Sequence, residues 1–139
     1  YINPQDVAIN KDYIGNGEVS DAASSNSYIQ FDQKLYEEAL TQNKIIFLDF
    51  YASWCPICRS ENPHLVAAFN ELNDQNIVAF QVHYNDKETT QAEKDLAKKY
   101  GITYQHTKVI LKNGVEVLRS LESWNKEKTI TELKKISSP

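Results

Sequence analysis

The apolar run from Ile45 to Ala52 constrains the fold more than any other stretch of this sequence. Asp49 alone interrupts the run, which is continuous rather than alternating, as is typical of a strand buried on both faces of a sheet. The run is also far shorter than the roughly 20 residues that a membrane-spanning helix needs. It therefore predicts the central strand of an α/β sheet and no membrane-spanning segment in this chain.

The segments on either side alternate between strand and helix patterns. The predicted strands lie at 27–31, 44–52, 76–84 and, as a pair, within 107–120. The predicted helices lie at 32–43, from the cysteines to about residue 73, at 89–101 and at 125–136. In the first helix, Asp32 is the expected cap, and Leu35, Ala39 and Leu40 form the apolar face. This order of elements implies a mixed sheet with helices on both sides.

Three turn and helix signals support this assignment. Asn113 and Gly114 tolerate the positive φ of a type I′ turn, so they predict a tight hairpin between the last two strands. Gly101 is placed to close the preceding helix. Pro63 removes one hydrogen bond from the helix that follows the cysteines and should kink it.

Residues 1–26 differ in composition from the rest of the chain, being rich in Asn, Asp, Ser and Gly without sustained periodicity. We interpret them as an extension or tether that leads to a domain at 27–139. The alternative is an arm packed on that domain through Tyr13 and Ile14. A polar leader without a start methionine favours an exported protein, secreted or tethered to a membrane, and leaves a cytoplasmic location open.

Composition argues against nucleic acid as a partner and indicates that the fold does not need a disulfide. The formal charge of −4 and the pI near 5.4 argue against nucleic-acid binding, which requires clustered Lys and Arg. With 139 residues, of which 41% are hydrophobic, the chain can bury a core without help from a disulfide.

The only two cysteines, Cys55 and Cys58, lie where the predicted central strand ends and a helix begins. The first turn of a helix presents unpaired N–H groups and a partial positive charge, which favour a thiolate at Cys55. Cys58 lies one turn further on the same face, so the pair can form a disulfide and open it again. A metal site and a static disulfide are the alternative interpretations.

The stretch LDFYASWCPIC resembles the active-site strand and motif of the thioredoxin family, with Trp54 before the first cysteine and Asp49 six residues before it. The similarity covers roughly residues 28–136 and extends to Pro63, to LAKKYGI and to the hairpin VILKNGVEV. It implies a thioredoxin-like fold, in which a central mixed sheet is flanked by helices.

The resemblance also implies a role for each matching residue. Cys55 is expected to be the exposed nucleophile, and Cys58, more buried, to resolve the mixed disulfide. Asp49, buried under the motif, is expected to take or give a proton near Cys58. The residues expected to contact the substrate are Trp54, Pro56, Ile57, Gln105 and His106.

Two positions depart from the family pattern. Val82 aligns where many members have a lysine paired with the buried aspartate, which weakens the case for Asp49 as a proton carrier. His106 stands where the family has a cis-proline, and the Gln105–His106 peptide bond is expected to be trans because a non-proline cis bond costs on the order of 3 kcal/mol. A charged His106 near the sulfurs would favour the Cys55 thiolate.

The leading hypothesis is a thiol-disulfide oxidoreductase that acts as a reductase of protein disulfides through a mixed-disulfide intermediate. Its electrons would come from a redox partner protein, and no bound cofactor or metal is implied. One alternative is a zinc or iron-sulfur module that uses Cys55, Cys58 and His106, although this set lacks a fourth ligand. The other is a redox-silent interaction domain that keeps the fold.

Overall fold

The computed structural model describes residues 28–138. The predicted extension at 1–26, including the arm through Tyr13 and Ile14, lies outside this range. The strands are β1 (Tyr28–Gln30), β2 (Ile45–Tyr51), β3 (Ile77–His83), β4 (Thr107–Lys112) and β5 (Val115–Ser120). The helices are α1 (Gln33–Thr41), α2 (Pro56–Leu72), α3 (Gln91–Lys99) and α4 (Lys126–Ser137). The predicted order of strands and helices is confirmed.

The strands form one mixed sheet in the order β1-β3-β2-β4-β5. The central strand β2 runs parallel to β3 and antiparallel to β4, and β5 pairs antiparallel with β4. In this register Asp49 lies between Gln81 on β3 and Lys108 on β4. The sheet thereby brings a buried carboxylate and a lysine side by side.

The helices cover both faces of the sheet, which explains why β2 is apolar on both faces except at Asp49. On one face, Tyr36 of α1 and Leu96 of α3 pack with Phe50 and other sheet residues. On the opposite face, Phe69 of α2 and Leu133 of α4 pack with Phe47 and the buried ring of Trp124. Within residues 28–138, no helix combines the length and apolar character needed to cross a bilayer.

Side-chain caps and turn residues fix the ends of these elements where the sequence places them. Asp32 accepts a hydrogen bond from the Leu35 amide at 3.0 Å and so begins α1. Asn113 and Gly114 have φ values of 54° and 75°, as the tight hairpin requires. Helix α2 continues through Pro63 to Leu72. The apolar face of α1 differs from the prediction, since Tyr36 is buried whereas Leu35 is 43% exposed.

Candidate active site

The two cysteines begin α2 directly after the central strand. Cys55 is the N-cap residue, with an extended backbone, and Pro56 occupies the start of the helix. The Cys58 amide donates a hydrogen bond to the Cys55 sulfur at 3.2 Å. An N–H group directed at this sulfur stabilises negative charge on it, as does the positive end of the helix.

Both cysteines are free thiols, and both are buried. Cys55 is 3% exposed and Cys58 is 2% exposed, so the expectation that Cys55 is the exposed member of the pair is wrong in this structure. The Cys55 sulfur accepts the Cys58 amide at the start of α2, and Ala52 and Tyr51 pack on the pair.

The surroundings, rather than exposure, distinguish the two sulfurs. Burial raises the pKa of the Cys58 thiol far above its ordinary value; a backbone hydrogen bond from Ala52 opposes this, and the neighbouring Cys55 and Asp49 add to it. Cys58 therefore holds its proton tightly in the reduced protein. Its deprotonation needs a nearby group that can accept a proton.

Asp49 acts electrostatically on Cys58 and is buried, as the sequence predicts. It is 2% exposed, and the Tyr28 hydroxyl donates to its Oδ2 atom at 2.8 Å. Burial, together with the negative charge of Glu61, raises the pKa of Asp49 to about 6, although Lys108, the Tyr28 hydrogen bond and His106 oppose the rise. A carboxyl group that titrates near neutral pH is suited to carry a proton.

Glu61 and Lys108 form a buried ion pair that the sequence analysis missed. The Lys108 Nζ atom lies 2.7 Å from the Glu61 Oε2 atom, and both side chains are at most 1% exposed. The same Glu61 oxygen accepts a hydrogen bond from the Trp124 amide at 2.6 Å. One available signal was the position of Glu61, three residues after Cys58 on the same helix face.

Lys108 supplies a lysine beside Asp49, although Val82 stands where many members of the family have that lysine. Val82 is buried in the cluster on the α1 and α3 face, opposite Phe50. Asp49 nevertheless has a lysine beside it, because Lys108 is its direct partner across β2 and β4. A cation near the buried aspartate is therefore present, supplied by β4 rather than by β3.

His106 adopts a backbone conformation that proline cannot adopt. Its φ is 52°, whereas the proline ring holds φ near −65°. Its amide donates to the Phe50 carbonyl at 2.6 Å, and its carbonyl accepts from Lys108 Nζ at 2.7 Å. The ring is buried against Tyr104, and its Nδ1 atom has no hydrogen-bond partner within residues 28–138. The trans geometry expected for the Gln105–His106 bond stays a prediction.

Exposed apolar side chains on either side of Cys55 in the chain form an apolar rim beside the buried sulfurs. Trp54 is 50% exposed and Ile57 49% exposed, and Pro56 is also exposed. The Trp54 indole N–H donates to the Asn85 carbonyl at 2.8 Å, which holds the ring in place. Gln105 is half-buried on the segment that leads to His106.

The donors of the predicted metal alternative are not brought together. In the part of the chain that the structure describes, the set of three donor side chains close enough to hold an ion is His83, Asp86 and Glu88, not the two cysteines with His106. Asp86 Oδ2 lies 2.8 Å from His83 Nδ1 and accepts from the Ser53 amide at 2.8 Å. This set thus fastens the loop after β3 to the residues before Cys55.

Comparisons with known proteins agree with this geometry. The family model described as Thioredoxin matches residues 27–135. A thioredoxin of Mycoplasma genitalium is 34% identical over 97 residues, which are 70% of this chain and 87% of that protein. Thioredoxin H2 of Arabidopsis thaliana is 31% identical over 114 residues, covering 76% of this chain and 80% of the relative. The crystal structure of Trxlp from Edwardsiella tarda matches with a TM-score of 0.63 at 21% identity, covering 81% of this chain and 100% of that one.

A dithiol at a helix start, beside a buried carboxylate, defines a thiol-disulfide oxidoreductase. The chain belongs to the thioredoxin family, and Cys55 and Cys58 occupy the family's active-site position. The predicted thioredoxin-like fold and the predicted class of enzyme are both confirmed.

Proposed function

We propose that this protein is a reductase of protein disulfides in which Cys55 attacks and Cys58 resolves. The observation that carries this assignment is the difference between the two sulfurs. The Cys55 sulfur accepts the Cys58 amide at the positive end of α2, whereas burial raises the pKa of Cys58. The sulfur that is stabilised as a thiolate is the better nucleophile near neutral pH.

The reaction proceeds by two exchanges of sulfur bonds. The Cys55 thiolate attacks one sulfur of the substrate disulfide, and the other substrate sulfur leaves as a thiolate that takes a proton from water. Cys58 then loses its proton and attacks the Cys55 sulfur, which releases the second substrate thiol. The substrate disulfide gains two electrons, and the cysteine pair becomes a disulfide. A redox partner protein returns the pair to the dithiol form, and no bound cofactor takes part.

Asp49 accepts the proton that Cys58 loses in the second exchange. Its support is its burial beside Cys58 and a pKa raised to about 6, since both properties suit proton transfer near neutral pH. The burial of both sulfurs requires the substrate to approach closely through the rim.

The substrate is recognised by the residues around that entrance. Trp54, Pro56 and Ile57 offer apolar surface to a polypeptide beside its disulfide. Gln105 and His106 line the segment before β4 and contact the substrate from that side.

Reduction of insulin by the protein, with dithiothreitol as the electron source, tests this function. Cys55→Ser should abolish the reaction, whereas Cys58→Ser should accumulate a mixed disulfide between Cys55 and an insulin chain, visible by mass spectrometry. A mixed disulfide found on Cys58 instead would reverse the assignment. One zinc or iron per purified chain, lost in His106→Ala, would favour the metal module.

The reduction potential of the cysteine pair tests the direction of the reaction. A value near the roughly −270 mV of thioredoxin supports a reductase, and each 30 mV corresponds to about 1.4 kcal/mol for two electrons. A value near the roughly −120 mV of a strong oxidant such as DsbA would contradict it.

We also propose that the protein works outside the cytoplasm, secreted or tethered to a membrane. The support is the polar stretch at 1–26, whose composition suits a linker that holds the domain away from an attachment point. Labelling of intact cells with a membrane-impermeant thiol reagent should modify the reduced protein. Modification only after lysis would contradict this location.

A further inference from the structure

A group of charged side chains lies beneath the cysteines and carries one more carboxylate than ammonium. Asp49 comes from β2, Glu61 from α2 and Lys108 from β4, and all three are at most 2% exposed. If both carboxylates were ionised beside one lysine, the group would hold an excess negative charge in a low-dielectric interior. Such a group favours the uptake of one proton.

The hydrogen bonds decide which carboxyl group receives that proton. Glu61 Oε2 contacts Lys108 Nζ at 2.7 Å and accepts the Trp124 amide at 2.6 Å, so two donors favour its anion and oppose the rise in pKa that burial causes. Asp49 has a single, neutral donor, the Tyr28 hydroxyl, and one oxygen of each carboxyl group, Asp49 Oδ1 and Glu61 Oε1, has no partner within residues 28–138. Asp49 is therefore the member that gains and loses the proton.

Titratable groups from every packed element surround Asp49. Besides Glu61 and Lys108, these groups are Tyr28 on β1, Tyr51 on β2, Cys58 on α2 and His106 before β4. Tyr28 and Tyr51 are held neutral, because burial and the negative charge of Asp49 raise the pKa of each. Glu61 and Lys108, joined as an ion pair, are thus the charged neighbours that act on Asp49.

We propose that the Glu61–Lys108 ion pair sets the proton affinity of Asp49 and, through it, the pH at which Cys58 resolves the mixed disulfide. This inference rests on the proposed function and deepens it. Both residues are positioning residues, since they act on Cys58 through Asp49. In the step concerned, the Cys58 thiol gives its proton to the Asp49 carboxylate, the Cys58–Cys55 bond forms and the bond from Cys55 to the substrate breaks.

The two charges act on Asp49 in opposite directions. The Glu61 anion disfavours a second negative charge nearby, so Glu61→Gln should lower the pH at which Asp49 titrates by about one unit. The Lys108 cation favours the Asp49 carboxylate, so Lys108→Met should raise this pH by about one unit. In the double variant the two effects oppose each other, and the midpoint should return to within about half a unit of the wild type.

Two measurements on the reduced protein test these shifts. Carbon-13 NMR of labelled aspartate follows the titration of Asp49. Rapid-quench mass spectrometry with a peptide disulfide in a single turnover separates formation of the mixed disulfide from its resolution. We expect the midpoint of the resolution rate to move with the Asp49 midpoint. Glu61→Asp keeps a carboxylate at this position. In this variant the midpoint of the Asp49 titration should therefore stay above that in Glu61→Gln.

The outcomes separate this inference from the function on which it rests. If no mixed disulfide forms on Cys55, the proposed function fails. If the disulfide forms and resolves, but its midpoint is the same in wild type, Glu61→Gln and Lys108→Met, the ion pair is only structural and the inference fails. The wild-type protein provides a readout that needs no variant, because the labelled Glu61 carboxyl signal should show an inflection at the Asp49 midpoint. Absence of this inflection would also overturn the inference.

Discussion

Asp49 gives a prediction about stability that is independent of catalysis. Burial, with the help of Glu61, raises its pKa from 3.8 to about 6. The folded protein therefore binds this proton more tightly than the unfolded chain does. The resulting contribution to the free energy of unfolding is present below about pH 4 and is lost as the pH rises through about 6.

The magnitude follows from the size of the shift. Each pKa unit corresponds to about 1.4 kcal/mol, and Asp49 is fully buried, so a shift of about two units corresponds to about 3 kcal/mol between the limits of the titration. Over an accessible range from about pH 4 to about pH 7, Asp49→Asn should remove about 2 kcal/mol of pH dependence from the free energy of unfolding. The loss or gain of a hydrogen bond at residue 49 is the same at both pH values and cancels in this comparison.

Urea unfolding of the reduced protein, followed by tryptophan fluorescence, measures this difference. Wild type should lose stability relative to Asp49→Asn as the pH rises through this range, with equal m-values for the two proteins. Asp95→Asn, which removes an exposed carboxylate on α3, is the matched control. Parallel stability curves for wild type and Asp49→Asn would show that burial does not perturb Asp49, and the argument for its role as a proton acceptor would lose its basis.

Three further predictions concern the cysteines and their surroundings. Alkylation of the reduced protein should show one fast thiol that Cys55→Ser removes and Cys58→Ser retains; a fast thiol at Cys58 would contradict this. His106→Pro should lower the free energy of unfolding by about 3 kcal/mol, because proline lacks the amide that bonds Phe50 and cannot adopt the observed φ. His106→Asn keeps the amide and tolerates this φ, so equal losses of stability in the two variants would refute the prediction. Trp54→Ala should slow the reduction of insulin but not of a small aromatic disulfide; equal slowing would argue against substrate contact.

The sequence predicts the elements that are decided by local chemistry. Asp32 begins α1 because its side chain accepts an amide three residues on, and Asn113 and Gly114 turn the hairpin because both tolerate a positive φ. The apolar face of α1 was predicted less well. Leu35 is 43% exposed while Tyr36 packs against Phe80, because the docking of the helix on the sheet decides which apolar residues are buried.

The parts of the site that were missed depend on contacts between distant residues. Lys108 lies in the segment TKVILK, where a charged residue in a strand is ordinarily taken to face solvent. It is buried because β4 pairs antiparallel with β2 in the register that places it opposite Asp49, and because Glu61 reaches it from α2. Neither the register nor the approach of α2 can be read from local periodicity. The burial of Cys55 was also missed, since it depends on the packing of Ala52 and Tyr51 against the pair.

Lys108 connects the charge group under Cys58 to the backbone beside the cysteines. Its ammonium contacts Glu61 at 2.7 Å and also donates to the His106 carbonyl at 2.7 Å. Lys108 is therefore linked to both departures from the family pattern. It supplies the lysine that is missing at Val82, and it donates to the carbonyl of His106. Because this lysine lies on β4, two residues after His106, its ammonium reaches the carbonyl of a residue with a positive φ. A variant that removes this ammonium should accordingly alter both the proton affinity of Asp49 and the conformation of the segment that faces the substrate, whereas Glu61→Gln should alter the first and leave the second in place.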